Sequence, residues 1–241
     1  MIELCDVSYS YDGIPALSHV TLRVQQGESV AFIGPNGSGK STLLKLINGI
    51  VLPAGGSYFF EGEDITRARL QDTRFAKRMH QRIGLLFQNV DAQLFCTAVY
   101  DEVAFGPRQM GFDQDAVDAR VRDCLQLLSI EHLACRAPYH LSEGEKRKVA
   151  LASVLALNPE VLALDEPMNG LDPKTKRFIR EVTLSLIAAG KTILCSTHDF
   201  TYVDGLFARA VVISEQHCIV RDDDYRAVLD EPAFLASLNI I

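Results

Sequence analysis

Short, mainly apolar runs alternate with helical patterns along much of this chain. Five such runs of strand length lie at residues 29–33, 83–87, 161–164, 192–195 and 210–213. Continuous apolar runs are typical of strands that are buried on both faces of a parallel sheet. Because helical patterns separate the runs, the sequence predicts an α/β fold with a parallel-sheet core.

A different pattern precedes this core. Between residues 20 and 24 apolar and polar side chains alternate, which predicts a strand with one face in water. Together with the segments at residues 2–8 and 58–60, this strand is expected to form a separate antiparallel β layer.

Two helices follow turn or capping signals. The first has apolar residues at helical spacing and a predicted exit at Asn48-Gly49; these residues are Leu43, Leu46, Ile47 and Ile50. The second follows Asp172-Pro173, where Asp suits the N-cap and Pro the first turn; its apolar residues are Phe178, Val182 and Leu186.

Residues 88–159 contain no strand-like run. An amphipathic stripe runs through Val117, Val121, Leu125 and Leu128. We therefore predict a helical subdomain at residues 88–159, inserted into an α/β nucleotide-binding core of residues 1–87 and 160–241, within one domain. The acidic run at residues 222–224 is predicted to begin a solvated helix.

Composition narrows the class of protein. The 241 residues are 48% hydrophobic and 23% charged, as in an ordinary globular protein, and the net charge of −7 argues against a general nucleic-acid binder. Six cysteines without a C-x-x-C pair suggest neither a zinc site nor a redox motif. We expect no signal peptide, and no apolar run is long enough to cross a bilayer, so any membrane role needs a partner.

The strongest chemical signal follows the first apolar run of the core. Residues 34–42, GPNGSGKST, fit the phosphate-binding pattern G-x-x-x-x-G-K-[ST] between a predicted strand and a predicted helix. We call these residues the P-loop. The candidate nucleotide-binding residues of this segment are Gly34, Asn36, Gly37, Ser38, Gly39, Lys40, Ser41 and Thr42. Lys40 would reach the β and γ phosphates, and Ser41 would hold Mg²⁺. A plain glycine-rich turn would have no need of Lys-Ser at this place.

An acidic pair ends another predicted strand. Asp165 and Glu166 follow the apolar run 161–164, at the edge of a parallel sheet where ligands bind. Asp165 would support Mg²⁺, and Glu166 would orient or deprotonate the attacking water. The simpler alternative is a polar strand end, which the P-loop upstream makes less attractive.

Residues 141–152, LSEGEKRKVALA, resemble the signature sequence of the ABC-type ATPases. With the P-loop and residues 162–167, LALDEP, this resemblance implies a P-loop NTPase with a RecA-like core. In that family two such domains pack head to tail around ATP. Ser142 and Gly144 would then contact the γ-phosphate bound by a partner, and Asp172 would lie in a loop that crosses the dimer interface.

The signature of this chain departs from the usual LSGGQ at Glu143 and Glu145. A carboxylate at Glu143 would weaken anion binding if it faced the phosphate, whereas one that points outward is favourable at a helix N-terminus. The sequence leaves that direction open.

Three further positions match the family. Gln88 resembles the glutamine that contacts Mg²⁺ or water, His198 the switch histidine that bonds the γ-phosphate, and Tyr11 the aromatic residue that stacks on adenine. For His198 a structural role is the alternative, and for Tyr11 ordinary packing is the alternative.

Two elements indicate a subfamily. Residues 91–95, DAQLF, and 104–107, AFGP, resemble ATPases of energy-coupling-factor and cobalt/nickel importers. Leu94 and Phe95 would suit a groove that receives a helix of a membrane subunit. The alternative for Phe95 is packing in the core of the helical subdomain.

The resemblance implies an ATP-hydrolysing subunit that drives import of cobalt, nickel or a vitamin, with ATP and Mg²⁺ as ligands. Its expected partners are a second ATPase subunit, as a homodimer by default, a transmembrane coupling protein and a substrate-binding membrane component, with no nucleic acid. It would lie at the cytoplasmic face of the membrane. The alternatives are a soluble ABC ATPase acting on DNA or ribosomes, and a P-loop kinase or nucleotide sensor.

Overall fold

The computed structural model describes residues 1–240, including every side chain among them except that of Thr201. Within this range the strands are β1 (Ile2–Tyr11), β2 (Ile14–Val24), β3 (Ser29–Ile33), β4 (Gly55–Phe60), β5 (Glu63–Asp64), β6 (Ile83–Leu86), β7 (Val161–Asp165), β8 (Thr192–Ser196), β9 (Arg209–Ile213) and β10 (Ile219–Asp224).

The helices in the same range are α1 (Lys40–Ile47), α2 (Arg67–Gln71), α3 (Thr73–Arg82), α4 (Val99–Gln109), α5 (Gln114–Leu127), α6 (Glu143–Leu155), α7 (Pro173–Ala188), α8 (Phe200–Val203), α9 (Tyr225–Leu229) and α10 (Pro232–Ser237). Short 3-10 turns lie at Val90–Ala92, Glu131–Leu133 and Pro138–His140.

The five apolar runs form one sheet. Its strand order is β10-β9-β3-β8-β7-β6, and the five strands from β9 to β6 are parallel. The parallel core predicted from the sequence is therefore confirmed. β10 adds an antiparallel edge strand beside β9, which the sequence pattern did not predict.

A second sheet of order β2-β1-β4-β5 is antiparallel throughout. It contains the three segments that were predicted to form the antiparallel layer. The alternation in β2 has the expected cause, because Val20, Leu22 and Val24 are buried while Thr21 and Arg23 are exposed.

The parallel sheet separates two hydrophobic cores. In β3, Val30 and Phe32 pack in the core shared with the antiparallel sheet and α1, whereas Ala31 and Ile33 pack in the core shared with α5, α6 and α7. Successive side chains of a strand point to opposite faces, so a strand covered on both faces must be apolar at every position. Because these five strands are parallel, their carboxyl ends lie at one edge of the sheet.

The turn and capping signals predicted the end of α1 and the start of α7. The Asp172 carboxylate accepts the N–H groups of Lys174 (2.9 Å) and Thr175 (3.1 Å), and Pro173 begins α7. α1 ends at Ile47 with Asn48 as its C-cap, so Ile50 lies beyond the helix and is exposed.

One sequence prediction needs correction, and two helices were missed. The acidic run 222–224 does not begin a helix as a whole: all three residues lie in β10, and only the last, Asp224, also caps α9. Arg209 on the neighbouring strand pairs with Asp222 at 2.6 Å, so the cross-strand ion pair favours the strand. In addition, α2 and α3 lie in the segment assigned to the α/β core and were not predicted.

Residues 88–159 contain α4, α5, α6 and the 3-10 turns and no strand. The division into a core of 1–87 and 160–241 and a subdomain of 88–159 stays a prediction, and its last residue, Ile241, lies outside the described residues.

Candidate functional site

The glycine-rich loop connects β3 to α1 at the carboxyl edge of the parallel sheet. Its backbone leaves no room for larger residues at two positions. A Cβ atom on Gly34 would lie 2.2 Å from the Ile213 carbonyl oxygen, and one on Gly39 would lie 2.2 Å from the Ala16 carbonyl oxygen. Gly39 also has a φ of 108°, and α1 begins without a side-chain cap, so its first N–H groups can bind an anion.

Lys40 is buried at the start of α1. Its Nζ donates to the carbonyl oxygens of Gly34 (2.7 Å) and Pro35 (2.9 Å). Burial lowers the pKa of Lys40, while Glu166 and Asp165 act in the opposite direction. The ammonium group is thus held at the inner wall of the loop, within the field of two carboxylates.

A cavity of about 280 Å³ lies above the loop. It brings together residues that are far apart in sequence: Tyr11, Ala16, Asn36, Gly37, Ser38, Gly39, Lys40, Ser41, Thr42, Gln88 and Glu166. At its rim Tyr11 is exposed and meets Tyr9 edge to face at 4.9 Å between ring centroids. Loop, glutamine, acid and aromatic residue therefore form one site.

Asp165 is the polar centre at the end of β7. Its Oδ1 accepts the hydroxyl of Ser41 at 2.8 Å and that of Ser196 at 2.6 Å. Ser41 lines the cavity together with Gln88, and the Asp165 carboxylate contacts Ser41, so these three side chains carry the hard oxygen atoms that could hold Mg²⁺. Ser196 was not among the residues predicted from the sequence, and only the pairing of β8 with β7 reveals it.

Glu166 has an unusual backbone. Its φ is 46°, a left-handed conformation that is uncommon for a residue other than glycine. Its N–H donates to Ser196 Oγ (2.9 Å) and Ser196 O (3.2 Å), and its Oε2 lies 2.8 Å from His198 Nδ1. Strained conformations of this kind persist where surrounding contacts hold them, often at functional sites.

Gln88 is held from a distance in sequence. The guanidinium of Arg147 donates to the carbonyl oxygens of Phe87 and Gln88, both at 3.1 Å, and burial lowers the pKa of Arg147. Sequence reasoning missed Arg147. A buried position on a helix is usually apolar, so the sequence pattern gave no reason to expect a buried arginine here. The only signal was the place of Arg147 on α6, in the segment that carries the signature.

At the start of α6 the carboxylates of Glu143 and Glu145 make different contacts. Glu145 turns back and accepts the N–H (2.8 Å) and the hydroxyl (2.7 Å) of Ser142, completing a capping box. These contacts lower the pKa of Glu145. Glu143 instead lies 3.5 Å from Lys146, which also binds Asp91 at 2.7 Å.

Ser142, Gly144 and Asp172 do not line the P-loop cavity. They lie on a second cavity of about 530 Å³, between the N-terminal ends of α6 and α7. The structure thus divides the predicted nucleotide ligands into two groups on different cavities of one chain.

A pair of exposed aromatic rings lies in the part of the chain that follows Gln88. Phe95 and Phe105 meet edge to face at 4.9 Å, and both are exposed. Leu94 is partly buried against the core of the helical segment. Core packing, the alternative for Phe95, is therefore wrong, since this residue is 66% exposed.

No helix within residues 1–240 combines the length and the apolar character that crossing a bilayer requires.

Comparison with known proteins agrees with this geometry. Residues 17–169 match the ABC transporter family. The nickel import ATP-binding protein LarO of Lactiplantibacillus plantarum is 46% identical over 239 residues, covering 99% of both chains. The energy-coupling factor transporter ATP-binding protein EcfA of Methanothermobacter thermautotrophicus is 43% identical over 220 residues, covering 91% of this chain and 70% of that one.

A solved structure has the same fold. The cbiO1 protein of Clostridium perfringens, described as part of the ABC transporter complex cbiONQ, superimposes with a TM-score of 0.83 at 33% identity. The match covers 99% of this chain and 94% of that one. The fold class predicted from the sequence, a P-loop NTPase with an antiparallel layer and a helical insertion, is confirmed. The chain therefore belongs to the ABC transporter family and is an ATP-hydrolysing subunit of the energy-coupling-factor type.

Proposed function

We propose that this chain supplies ATP hydrolysis to an importer of nickel or cobalt ions, with a vitamin as the second candidate cargo. Similarity to a nickel import protein over nearly the whole of both chains supports the metal. The observation that carries the ATPase role is the single cavity that the P-loop, Gln88 and Glu166 line together, with His198 bonded to Glu166.

The residue roles follow from this arrangement. Lys40 and the amides of the loop bind the phosphates, and Tyr11 stacks on the base. Ser41, Asp165 and Gln88 are the residues that would hold Mg²⁺, which neutralises charge on the phosphates when bound. Glu166 orients and deprotonates the attacking water, and His198 holds the Glu166 carboxylate and stabilises the transferred phosphoryl group.

The two cavities support a composite site formed by two copies of the chain. Ser142 and Gly144 offer a hydroxyl and a helix N-terminus on a cavity remote from the P-loop of the same chain. In a head-to-tail dimer they would complete the site of the partner copy, with Asp172 between the two sites. A monomer would then hydrolyse ATP poorly.

The proposed membrane contact is the Phe95–Phe105 pair. Two exposed aromatic rings, in the part of the chain that follows Gln88, suit contact with an apolar helix of a transmembrane coupling protein. We place the chain at the cytoplasmic face, where ATP is available and where its free cysteines stay reduced. The division into core and helical subdomain belongs to the same proposal, with residues 88–159 moving as a unit during the cycle.

Metal uptake by cells tests this function. Cells that carry the wild-type chain should accumulate nickel or cobalt, and cells that carry Glu166→Gln or Lys40→Ala should not, at equal levels of membrane-bound protein. Competition with unlabelled vitamins identifies the alternative cargo. Uptake that is unchanged by both substitutions would contradict a transport role. Turnover stimulated by nucleic acid, without recovery in solubilised membranes, would favour the soluble ABC ATPase instead.

A further inference from the structure

The turn between β9 and β10 contacts the P-loop through one side chain. His217 lies in this turn, where its N–H donates to the Ser214 carbonyl (3.0 Å) and its own carbonyl accepts the N–H of Ser18 (2.9 Å). These backbone bonds attach the turn to β2 and do not depend on the imidazole ring. Any residue other than proline could make them.

The backbone of His217 has a φ of 63°. Glycine adopts this left-handed conformation without cost, whereas residues with a Cβ atom are strained there, histidine less than most. Such strain is retained where the side chain contributes something that glycine cannot. At this position the imidazole ring is the only group that glycine would lack.

The imidazole ring reaches the phosphate-binding loop. Its Nδ1 lies 3.3 Å from the carbonyl oxygen of Ser38, and it donates the hydrogen bond as the Nδ1–H tautomer. Ser38 is itself buried, and its hydroxyl has no hydrogen-bond partner within the described residues. The histidine therefore contacts a loop residue whose own side chain does not hold it in place.

Holding the Ser38 carbonyl also orients the next amide. Because the peptide unit is planar and trans, the N–H of Gly39 points away from the Ser38 oxygen, on the side opposite His217. Gly39 has a φ of 108° and, as a glycine, little intrinsic preference in φ and ψ, so contacts made by its neighbours help to direct its amide. Both Ser38 and Gly39 line the nucleotide cavity.

We propose that His217 is a positioning residue for nucleotide binding, which directs the Gly39 amide toward the phosphates by holding the Ser38 carbonyl from outside the site. The proposal rests on the proposed role of residues 34–42 as the phosphate site. It assigns a function to a turn that contains no recognised motif.

Three substitutions separate positioning from folding. His217→Gly removes the contact and relieves the strained φ, so the melting temperature should stay equal or rise while the Kd for MgADP increases about threefold to tenfold. His217→Asn places a side-chain N–H donor at the same number of bonds from Cα and tolerates left-handed φ, so its Kd should stay within about twofold of wild type. His217→Ala should lose both stability and affinity.

Binding is measured on the full chain by titration calorimetry with MgADP, which avoids turnover. Glu215→Ala, in the same turn but bonded to Asn239, is the matched control and should bind like wild type. Wild-type affinity in His217→Gly, or equal losses in His217→Asn and His217→Gly, would overturn the proposal. Binding that survives Lys40→Ala would instead show that the phosphate site itself is wrongly assigned.

Discussion

Ser196, at the end of β8, connects the two acidic residues of the proposed catalytic site. Its hydroxyl donates to Asp165 at 2.6 Å and accepts the N–H of Glu166 at 2.9 Å. It therefore holds the Asp165 carboxylate toward Ser41 and the Glu166 backbone in its strained conformation. Because Ser196 is fully buried, no water can easily replace these bonds.

Replacing Ser196 by alanine should reduce turnover more than binding. Loss of the buried hydrogen bonds should cost about 1 to 3 kcal/mol of stability. We expect kcat to fall about tenfold or more as Glu166 loses its fixed position, with the Kd for nucleotide changed less than about threefold. Ser185→Ala, which removes a hydroxyl bonded only within α7, is the control. Equal loss of kcat in both variants would contradict a positioning role.

Glu145 is the residue that distinguishes this signature most. Its carboxylate accepts hydrogen bonds from the hydroxyl and the N–H of Ser142. The Ser142 hydroxyl is proposed to contact the γ-phosphate bound by the partner copy. In a Glu166→Gln background, Glu145→Gln should lower the protein concentration needed for ATP-driven dimerisation about threefold to tenfold, because a neutral amide does not repel the phosphate. Glu143→Gln is the matched control and should have a smaller effect, since Glu143 faces Lys146. Light scattering at rising protein concentration measures both.

The contribution of the capping box to folding stability depends on pH through the Glu145 carboxylate. Hydrogen bonds from Ser142 lower the pKa of Glu145 from its ordinary value of 4.5. Its contribution to stability is therefore complete above pH 4.5 and is lost as the pH falls through the lowered pKa. The stability difference between wild type and Glu145→Gln should accordingly be constant near neutrality and shrink only in acid.

At the scale of elements, Arg147 joins α6 to the end of β6. Its guanidinium is buried and donates to the backbone carbonyls of Phe87 and Gln88. A buried cation without a carboxylate partner is costly, and here two carbonyl dipoles offset part of that cost. The helix that carries the signature is thus tied to the segment that carries Gln88, so a movement of one is passed to the other.

Arg147→Met should loosen this connection. The two carbonyl groups lose their donors, so amide hydrogen exchange in the segment after β6 should become faster, with a loss of about 1 to 3 kcal/mol in local stability. Arg147→Lys should show a smaller increase in exchange than Arg147→Met, because one ammonium group replaces the two-pronged guanidinium donor only in part. Arg180→Met, which also removes an arginine–carbonyl bond but lies on α7, is the control. Unchanged exchange in Arg147→Met would refute the connection.

At the scale of the whole molecule, the proposed site needs two copies of the chain. The P-loop cavity and the cavity of Ser142 and Gly144 are lined by different residues of one chain. If each ATP lies between the P-loop of one copy and the signature of the other, two defective variants can complement each other. A site formed within one chain would not allow this.

Lys40→Ala and Ser142→Arg should each be inactive alone, with turnover reduced at least about a hundredfold. An equimolar mixture should recover about a quarter of wild-type activity, since half of the dimers are mixed and each of these has one intact site. ATPase assays before and after mixing measure the recovery, and melting curves check that both variants are folded. No recovery after exchange of subunits would contradict the composite site.

The sequence by itself determined the five parallel strands, the chemistry of the glycine-rich loop and the family. Apolar runs predicted the five parallel strands, since strands covered on both faces need apolar residues throughout. GPNGSGKST predicted the phosphate loop, because close backbone packing excludes a Cβ atom at Gly34 and Gly39. These features are local in sequence, so their physical requirements are written in neighbouring residues.

Tertiary structure decided what depends on residues distant in sequence. Ser196 reaches Asp165 because β8 pairs with β7, and Arg147 reaches Gln88 because α6 packs against the end of β6. The run 222–224 is a strand because it pairs with β9, where Arg209, opposite Asp224, forms a diagonal ion pair with Asp222. His217 holds Ser38 across 179 positions of sequence. Hydrogen bonds and ion pairs of this kind have no periodicity, so only the folded chain reveals them.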